Sequence, residues 1–458
     1  MKPIFAVPML GLALAAAAPA AGAAPGPSGE QALLHQAAAQ VSPERQKAII
    51  TRLVGFGTRH TLSDTRSDTR GIGAARRWVA SEFTALAKDC GGCLTVATPS
   101  QVMSGKRVPT PTEVMDVLAI QPGTEGSKRV VVISGHLDSR VSDVMNATSD
   151  APGANDDGSG VAAVMEAARV LSKFKFKATV VYAVLSGEEQ GLMGGKVLAD
   201  YAKAQGWQVE ADLNNDIVGN SEGLNGVRDN THVRVFSEGT KAVETQAQAD
   251  RRRYNGGEVD SPSRNLARYM DRLAGQYLTN LSVKMIYRTD RFGRGGDQVE
   301  MLGAGFPAVR VTESTENYNR QHQDLRTENG IAYGDVLSGV DFDYLAQVTR
   351  LNVVTLAALA SAPAPPNGVE ISGAVSDDTT VKWTPAPGAA GYRVWWRSTT
   401  DPQWRYSRWV DGGAADGTVL KNVVIDDWFF GVSAVGPDGY ESPVVFPGDA
   451  GSFVSAAQ

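Results

Sequence analysis

Cysteine is nearly absent: the 458 residues contain two, Cys90 and Cys93. A zinc knuckle built on them would need a second pair of ligands nearby, and none follows. A thioredoxin-like redox motif would open a helix after a strand in a βαβ unit, which the surrounding residues do not suggest. The pair in Cys90-Gly-Gly-Cys93 therefore reads as a structural disulfide, its two glycines relaxing the tight loop. An excess of charge of one sign is also missing. The chain has 44 Lys and Arg against 50 Asp and Glu, a net charge of −6, interspersed and without a long basic run. That pattern carries no electrostatic footprint for nucleic acid. Beyond the N-terminus no apolar stretch is long enough to cross a bilayer. Histidine is scarce too, with five in the chain.

What is present begins with a leader. Lys2 supplies a positive start, Ile4 to Ala18 is apolar, and Ala21-Gly-Ala23 forms a small-x-small cleavage site before Ala24. Residues 1–23 thus read as a signal peptide, and the mature protein is expected to be secreted or periplasmic. Residues 24–29, Ala-Pro-Gly-Pro-Ser-Gly, have the composition of a flexible mature N-terminus.

The length calls for two folded units. Helical periodicity covers Gln31 to Leu86, with a start at Ser42-Pro43 and a second amphipathic helix from Gly71. Strand-like runs then alternate with helices: 114–120, 129–134 and 178–185 are apolar and β-branched, while an Ala-rich helix begins at Gly160 and another at Met193. Further strands are expected at 232–236, 282–287 and 306–311, and a long helix from about Asp335 to Ala360. Near-continuous apolar strands alternating with helices imply an α/β unit over 24–362, with a mostly parallel mixed sheet covered by helices on both faces. Ser361-Ala-Pro-Ala-Pro-Pro-Asn-Gly reads as a linker. From 363 to 458 short alternating strands separated by Pro, Gly and Asp turns predict a small all-β sandwich.

Four segments of the α/β unit carry chemistry. Gly135-His136-Leu-Asp138, Asn155-Asp156-Asp157-Gly158, Gly187-Glu188-Glu189-Gln190 and Asn214-Asn-Asp216 each follow or interrupt an apolar run. Each would sit where a strand gives way to a loop, the place from which α/β enzymes deliver oxygen and nitrogen ligands to a hydrolytic zinc centre. His136 is a nitrogen donor, and Asp138 is placed to orient its imidazole. Alone, Asn155-Asp156-Asp157 would read equally well as a helix cap; beside His136, Asp156 becomes the candidate for a carboxylate shared by two metals. Of the adjacent Glu188 and Glu189, one can bind metal while the other handles protons.

The strings SGHLDS, GANDDGSG, LSGEEQGLMGG and NNDIVG, in this order over residues 115–330, resemble the co-catalytic dizinc aminopeptidases of the bacterial leucine aminopeptidase and aminopeptidase Y type. The resemblance implies two zinc ions per chain, with His136 and Asp216 on one, Glu189 and His322 on the other, and Asp156 bridging. It implies Glu188 as general base and Asp138 behind His136. His322, in Glu316-Asn-Tyr-Asn-Arg-Gln-His322, occupies the family position of the last ligand; Gln321 stands where some members carry Tyr, with Tyr318 a candidate substitute. The expected activity is removal of N-terminal residues from peptides by a hydroxide held between the metals. Other outcomes on this scaffold are a carboxypeptidase, a dipeptidase or a one-zinc glutaminyl cyclase; a non-catalytic binding protein is the alternative outside enzymes. The C-terminal region resembles a fibronectin type III domain through Trp383, Tyr392 and Ala434-Val-Gly-Pro-Asp-Gly, with Trp428 where that family has Tyr. Trp395, Trp396, Trp404 and Trp409 there raise the expectation of a surface or glycan contact, against core packing.

Overall fold

The computed structural model describes residues 30–224 and 226–453. The expected signal peptide at 1–23 lies outside them.

Eight strands form one mixed sheet, in the order Thr95–Ala97, Val117–Gln121, Thr179–Leu185, Arg129–His136, Gln208–Asn215, Ala308–Glu313, His232–Phe236, Ser282–Ile286. The middle four run parallel, and antiparallel pairing begins on either side of them. Every residue of Arg129–His136 is buried, because helices cover both faces. Gly158–Leu171 and Phe342–Ser361 contribute Val161, Val164, Val348 and Leu351 to the core on one side. Met193–Ala204 and Gln298–Gly303 contribute Leu198, Ala199 and Met301 on the other. Each Val, Leu or Met among these, fully buried, contributes about 1.5–3 kcal/mol.

Local signals set several boundaries. Ser42 accepts the Arg45 amide and Pro43 opens the Pro43–Val54 helix. Two expected elements are shifted, and each shift is made by a carboxylate with other work. The run expected as one strand over 114–120 breaks at Asp116, which turns inward to accept the Ser186 amide at 3.0 Å; Val108–Met115 pairs with Ser100–Gly105 in a separate hairpin. The last long helix starts at Phe342 behind an Asp341 cap, not at Asp335, whose carboxylate holds the 155–156 loop. Cys90 and Cys93 are joined by a disulfide just past the Gly71–Asp89 helix.

The C-terminal unit is a sandwich of two three-stranded antiparallel sheets. Val381, Trp383, Tyr392, Val394, Phe430 and Val432 fill the space between them, with the Trp383 and Tyr392 rings 5.1 Å apart. Three of the four tryptophans that raised the prospect of a glycan surface have partners within the protein. Trp404 is 9% exposed and donates to Asn265 Oδ1 at 3.1 Å on the α/β unit; Trp395 donates to Ser433 and Glu441; Trp396 stacks on Tyr406. The sandwich is fastened to the Pro262–Tyr277 helix through Asp260, which is fully buried between Arg268 and Arg397, each at 2.8 Å. Among the described residues, no helix is long and apolar enough to cross a membrane.

Candidate metal centre

The chain runs from the Arg129–His136 strand to its neighbour Thr179–Leu185 through a helix on one face. It then returns past the first strand to Gln208–Asn215 through a helix on the other face. A crevice opens at the carboxyl ends of the strands where the winding reverses. His136 ends the first strand, Glu188 and Glu189 follow the second, and Asp216 follows the third. Asp156 precedes the Gly158–Leu171 helix, and His322 lies in the loop after Ala308–Glu313.

These side chains form two triads. His136, Glu188 and Asp216 converge, as do Asp156, Glu189 and His322, with potential ligand atoms in each lying within 4.8 Å of one another. Asp156 joins them: its Oδ1 lies 3.3 Å from His136 Nε2 and its Oδ2 lies 2.9 Å from His322 Nε2. Asp216 Oδ1 is 3.8 Å from His136 Nε2, and Glu189 Oε1 is 3.0 Å from His322 Nε2. The latter contact lacks hydrogen-bond geometry. His136 Nε2 and Glu189 Oε1 are both buried without a hydrogen-bond partner among the described residues. Buried polar atoms are rarely left so, and mixed imidazole and carboxylate donors suit zinc. The donor set fits two divalent metals sharing Asp156.

The neighbours that aim these groups are partly ones the sequence did not announce. Asp138 receives the amides of Gly187 and Glu188 on Oδ1 at 2.9 and 3.2 Å, and Glu189 N and Thr61 Oγ1 on Oδ2 at 3.1 and 3.0 Å. It thereby fixes the turn that carries both glutamates. Toward His136 Nδ1 it presents its backbone carbonyl at 3.1 Å and its carboxylate at 3.5 Å. Asp157 accepts the amides of His136, Gly160 and Ile217, tying three ligand-bearing segments together. At Gly160 a Cβ would meet the Asn215 carbonyl at 2.2 Å, so only glycine lets helix and strand approach this closely. Arg59, fully buried, donates to the carbonyls of Leu137, Pro152 and Gly153.

Electrostatics follow from burial and crowding. Burial penalises the charge on Glu188, and Glu189 and Asp216 add to this, so its pKa stands well above the usual carboxylate range. Glu188 is nevertheless partly open to the pocket. Burial works against the Asp216 charge too, but Arg310, with Nη1 2.5 Å away, overrides it and holds the carboxylate ionised. Burial opposes charge on His322, and Glu189 and Asp156 outweigh it, raising the pKa to about 10. Arg140 acts the other way. A guanidinium is always a donor, so Arg140 Nη2 at 2.6 Å from His322 Nδ1 must donate to it, while Arg140 Nε donates to Glu189 at 2.8 Å. The two influences oppose each other: the carboxylates favour the imidazolium, whereas the Arg140 contact requires the neutral ring with its proton on Nε2. A metal at Nε2 needs that proton on Nδ1, so Arg140 and a metal compete for the same ligands.

Of the remaining histidines, His60 is buried against the Val144 carbonyl and Gln190, His232 pairs with Asp229, and His35 with Glu30. Tyr318 is 53% exposed and does not line the central cavity; Gln321 is buried. Gly295 lines the cavity, and Asp297 accepts the Gly195 amide at 2.9 Å, its pKa pushed up to about 7 by burial. Arg310 could have been suspected, being a charge inside the apolar 308–313 strand; Arg140 and Arg59 give no such signal.

The profile described as Peptidase family M28 matches residues 116–336. A protein described as a probable zinc metalloprotease, from Pyrenophora tritici-repentis, is 47% identical over 414 residues, covering 89% of this chain and 85% of its own. Another so described, from Leptosphaeria maculans, is 47% identical over 412 residues, covering 89% of this chain and 95% of its own. Among solved structures, the LapA aminopeptidase of Legionella pneumophila superposes with a TM-score of 0.51 at 20% identity, over 72% of each chain; that likeness concerns the fold.

Proposed function

The chain belongs to peptidase family M28, and from that premise we propose that it is an exported aminopeptidase working with two zinc ions. The observation that carries this reading is the pair of triads joined through the two oxygens of Asp156. His136 and Asp216 would hold one ion, Glu189 and His322 the other, and Asp156 both. Bound there, zinc supplies a Lewis acid that polarises the scissile carbonyl and lowers the pKa of water toward neutrality. Glu188 is the one carboxylate of the cluster left for proton transfer. It faces the pocket, takes the proton from the attacking water and returns it to the leaving amine. Asp138 keeps Glu188 in place through the amides of residues 187–189.

Glu188→Gln tests the role. It should retain metal at the parent level and lower kcat by at least about 10²-fold, the low end expected for losing a general base. A variant with parent kcat overturns the assignment. Peptides with free and acetylated N-termini test the aminopeptidase reading: only the free series should be cleaved, and equal cleavage of both sinks it. We read 24–362 as the peptidase unit and 363–458 as a fibronectin type III-like unit. The leader composition and the Cys90–Cys93 disulfide support export. Mass spectrometry of protein from the culture medium or periplasm should find a mature chain starting at Ala24.

A further inference from the structure

The cavity over the metal cluster holds about 380 Å³ and is walled by arginines. Arg107, Arg291 and Arg294 line it together with Arg140. Its lining acids, Asp156, Glu188, Glu189 and Asp216, all belong to the cluster itself. Pairing in the wall is incomplete. Arg310 takes Asp216, Arg291 Nε takes Asp290 at 3.1 Å, and Arg234 takes Glu316 at 2.6 Å. Among the described residues Arg294 reaches the already paired Glu316, at 3.3 Å, and Arg107 donates to the uncharged Glu189 carbonyl at 2.8 Å. Arg291, its side chain 9% exposed, keeps Nη1 buried with no hydrogen-bond acceptor among the described residues and Glu316 Oε2 at 3.6 Å. Arg291 Nη2 reaches the Gly295 carbonyl at 3.4 Å, so Nη1 is the one arm left over; a desolvated guanidinium N–H without an acceptor is costly, and carboxylate is a group whose oxygens match it. Metal ions at the cluster would draw on the same acids and make the wall more basic still.

We propose that this wall receives a carboxylate of the substrate beside the scissile bond, so that Arg291, Arg294 and Arg107 set the specificity. The inference rests on the peptidase reading above. Two sources present that chemistry: the side chain of an N-terminal Asp or Glu, or the free α-carboxylate of a short peptide. Both place a negative charge within one residue of the cleaved bond.

The experiment has two arms. Hydrolysis of glutamyl- against glutaminyl-p-nitroanilide isolates the side chain, and Leu-Gly acid against Leu-Gly amide isolates the terminus. A preference for the charged member in either pair, roughly ten- to a hundred-fold in kcat/KM, is expected for a charge-assisted contact. Arg294→Gln should abolish that preference chiefly through KM, and Arg294→Lys should restore part of it. Arg294 is one-third exposed, so its substitution leaves the fold intact. Equal rates within both pairs, with neutral substrates cleaved well, overturn the carboxylate inference and leave the peptidase reading standing. Calorimetric titration with glutarate decides the inference independently of turnover. Binding weakened tenfold or more by Arg294→Gln, together with Arg107→Gln, supports it even if no peptide is cleaved, and unchanged binding overturns it.

Discussion

Asp138→Asn changes one atom and tests how the centre is held. Asp138 is fully buried and its two oxygens accept four hydrogen bonds, three of them from consecutive amides of the 187–189 turn. An asparagine can keep its oxygen on Gly187 and Glu188 and turn its NH₂ toward Thr61, whose hydroxyl can accept. The Glu189 amide then faces a donor. Losing that bond leaves a buried N–H unsatisfied, which costs about 1–3 kcal/mol, and the surviving bonds lose their charge assistance. The combined loss should be about 2–4 kcal/mol. Burial alone would raise the pKa of Asp138, but the hydrogen bond to His136 and the amides outweigh it and hold it low. Its stabilisation is therefore present at neutral pH and lost only as acid protonates it. Denaturant unfolding at pH 7 measures the stability change, chelator competition the metal affinity, and steady-state kinetics the activity. Zinc affinity should fall about 10- to 100-fold, as for other groups that position ligands, and kcat should fall with it because Glu188 shares the turn. Parent stability, affinity and kcat in the variant would refute the claim that this carboxylate fastens the two glutamates.

Three further outcomes follow from other buried groups. Asp212 is buried with Ser134 Oγ as its one side-chain hydrogen-bond donor among the described residues, and burial pushes its pKa up to about 7. The folded state keeps its proton where the unfolded chain has released it, so parent stability falls by up to about 1.4 kcal/mol per pH unit between about pH 4 and 7. Asp212→Asn should lack that decline, and parallel unfolding curves for the two proteins across the window would disprove it. Arg140→Met frees the lone pairs of Glu189 and His322 and removes a nearby positive charge, so zinc should bind more tightly in chelator titrations; weaker binding contradicts the competition. Asp260→Asn leaves Arg268 and Arg397 buried without a full counter-charge, at a cost approaching about 3–5 kcal/mol. The sandwich should then loosen from the α/β unit, seen as a red shift of Trp404 fluorescence; an unchanged spectrum and unfolding midpoint would count against the ion triad as the fastening.

The α/β alternation, the sandwich and the loops bearing His136, Asp156, Glu188, Glu189, Asp216 and His322 were legible in the chain. Apolar runs of period two or 3.6 report which face is buried, and strand-end loops with small and acidic residues stand out against them. Asp116 and Asp335 misled the boundaries because their side chains bond to segments 70 and 180 residues away, and local periodicity carries no trace of such pairings. Trp404 of the sandwich looked ready for a ligand for the same reason: it is covered by Asn265, 139 residues earlier.

Sequence alone determined the donor types and the order in which they arrive, since chemistry at a metal needs particular atoms and those are written residue by residue. Tertiary structure alone decided that Asp156 touches both histidines, that Asp138 grips a turn rather than only an imidazole, and that four arginines face the cluster. Those are distances between segments far apart in the chain, set when the sheet closes and its crevice forms.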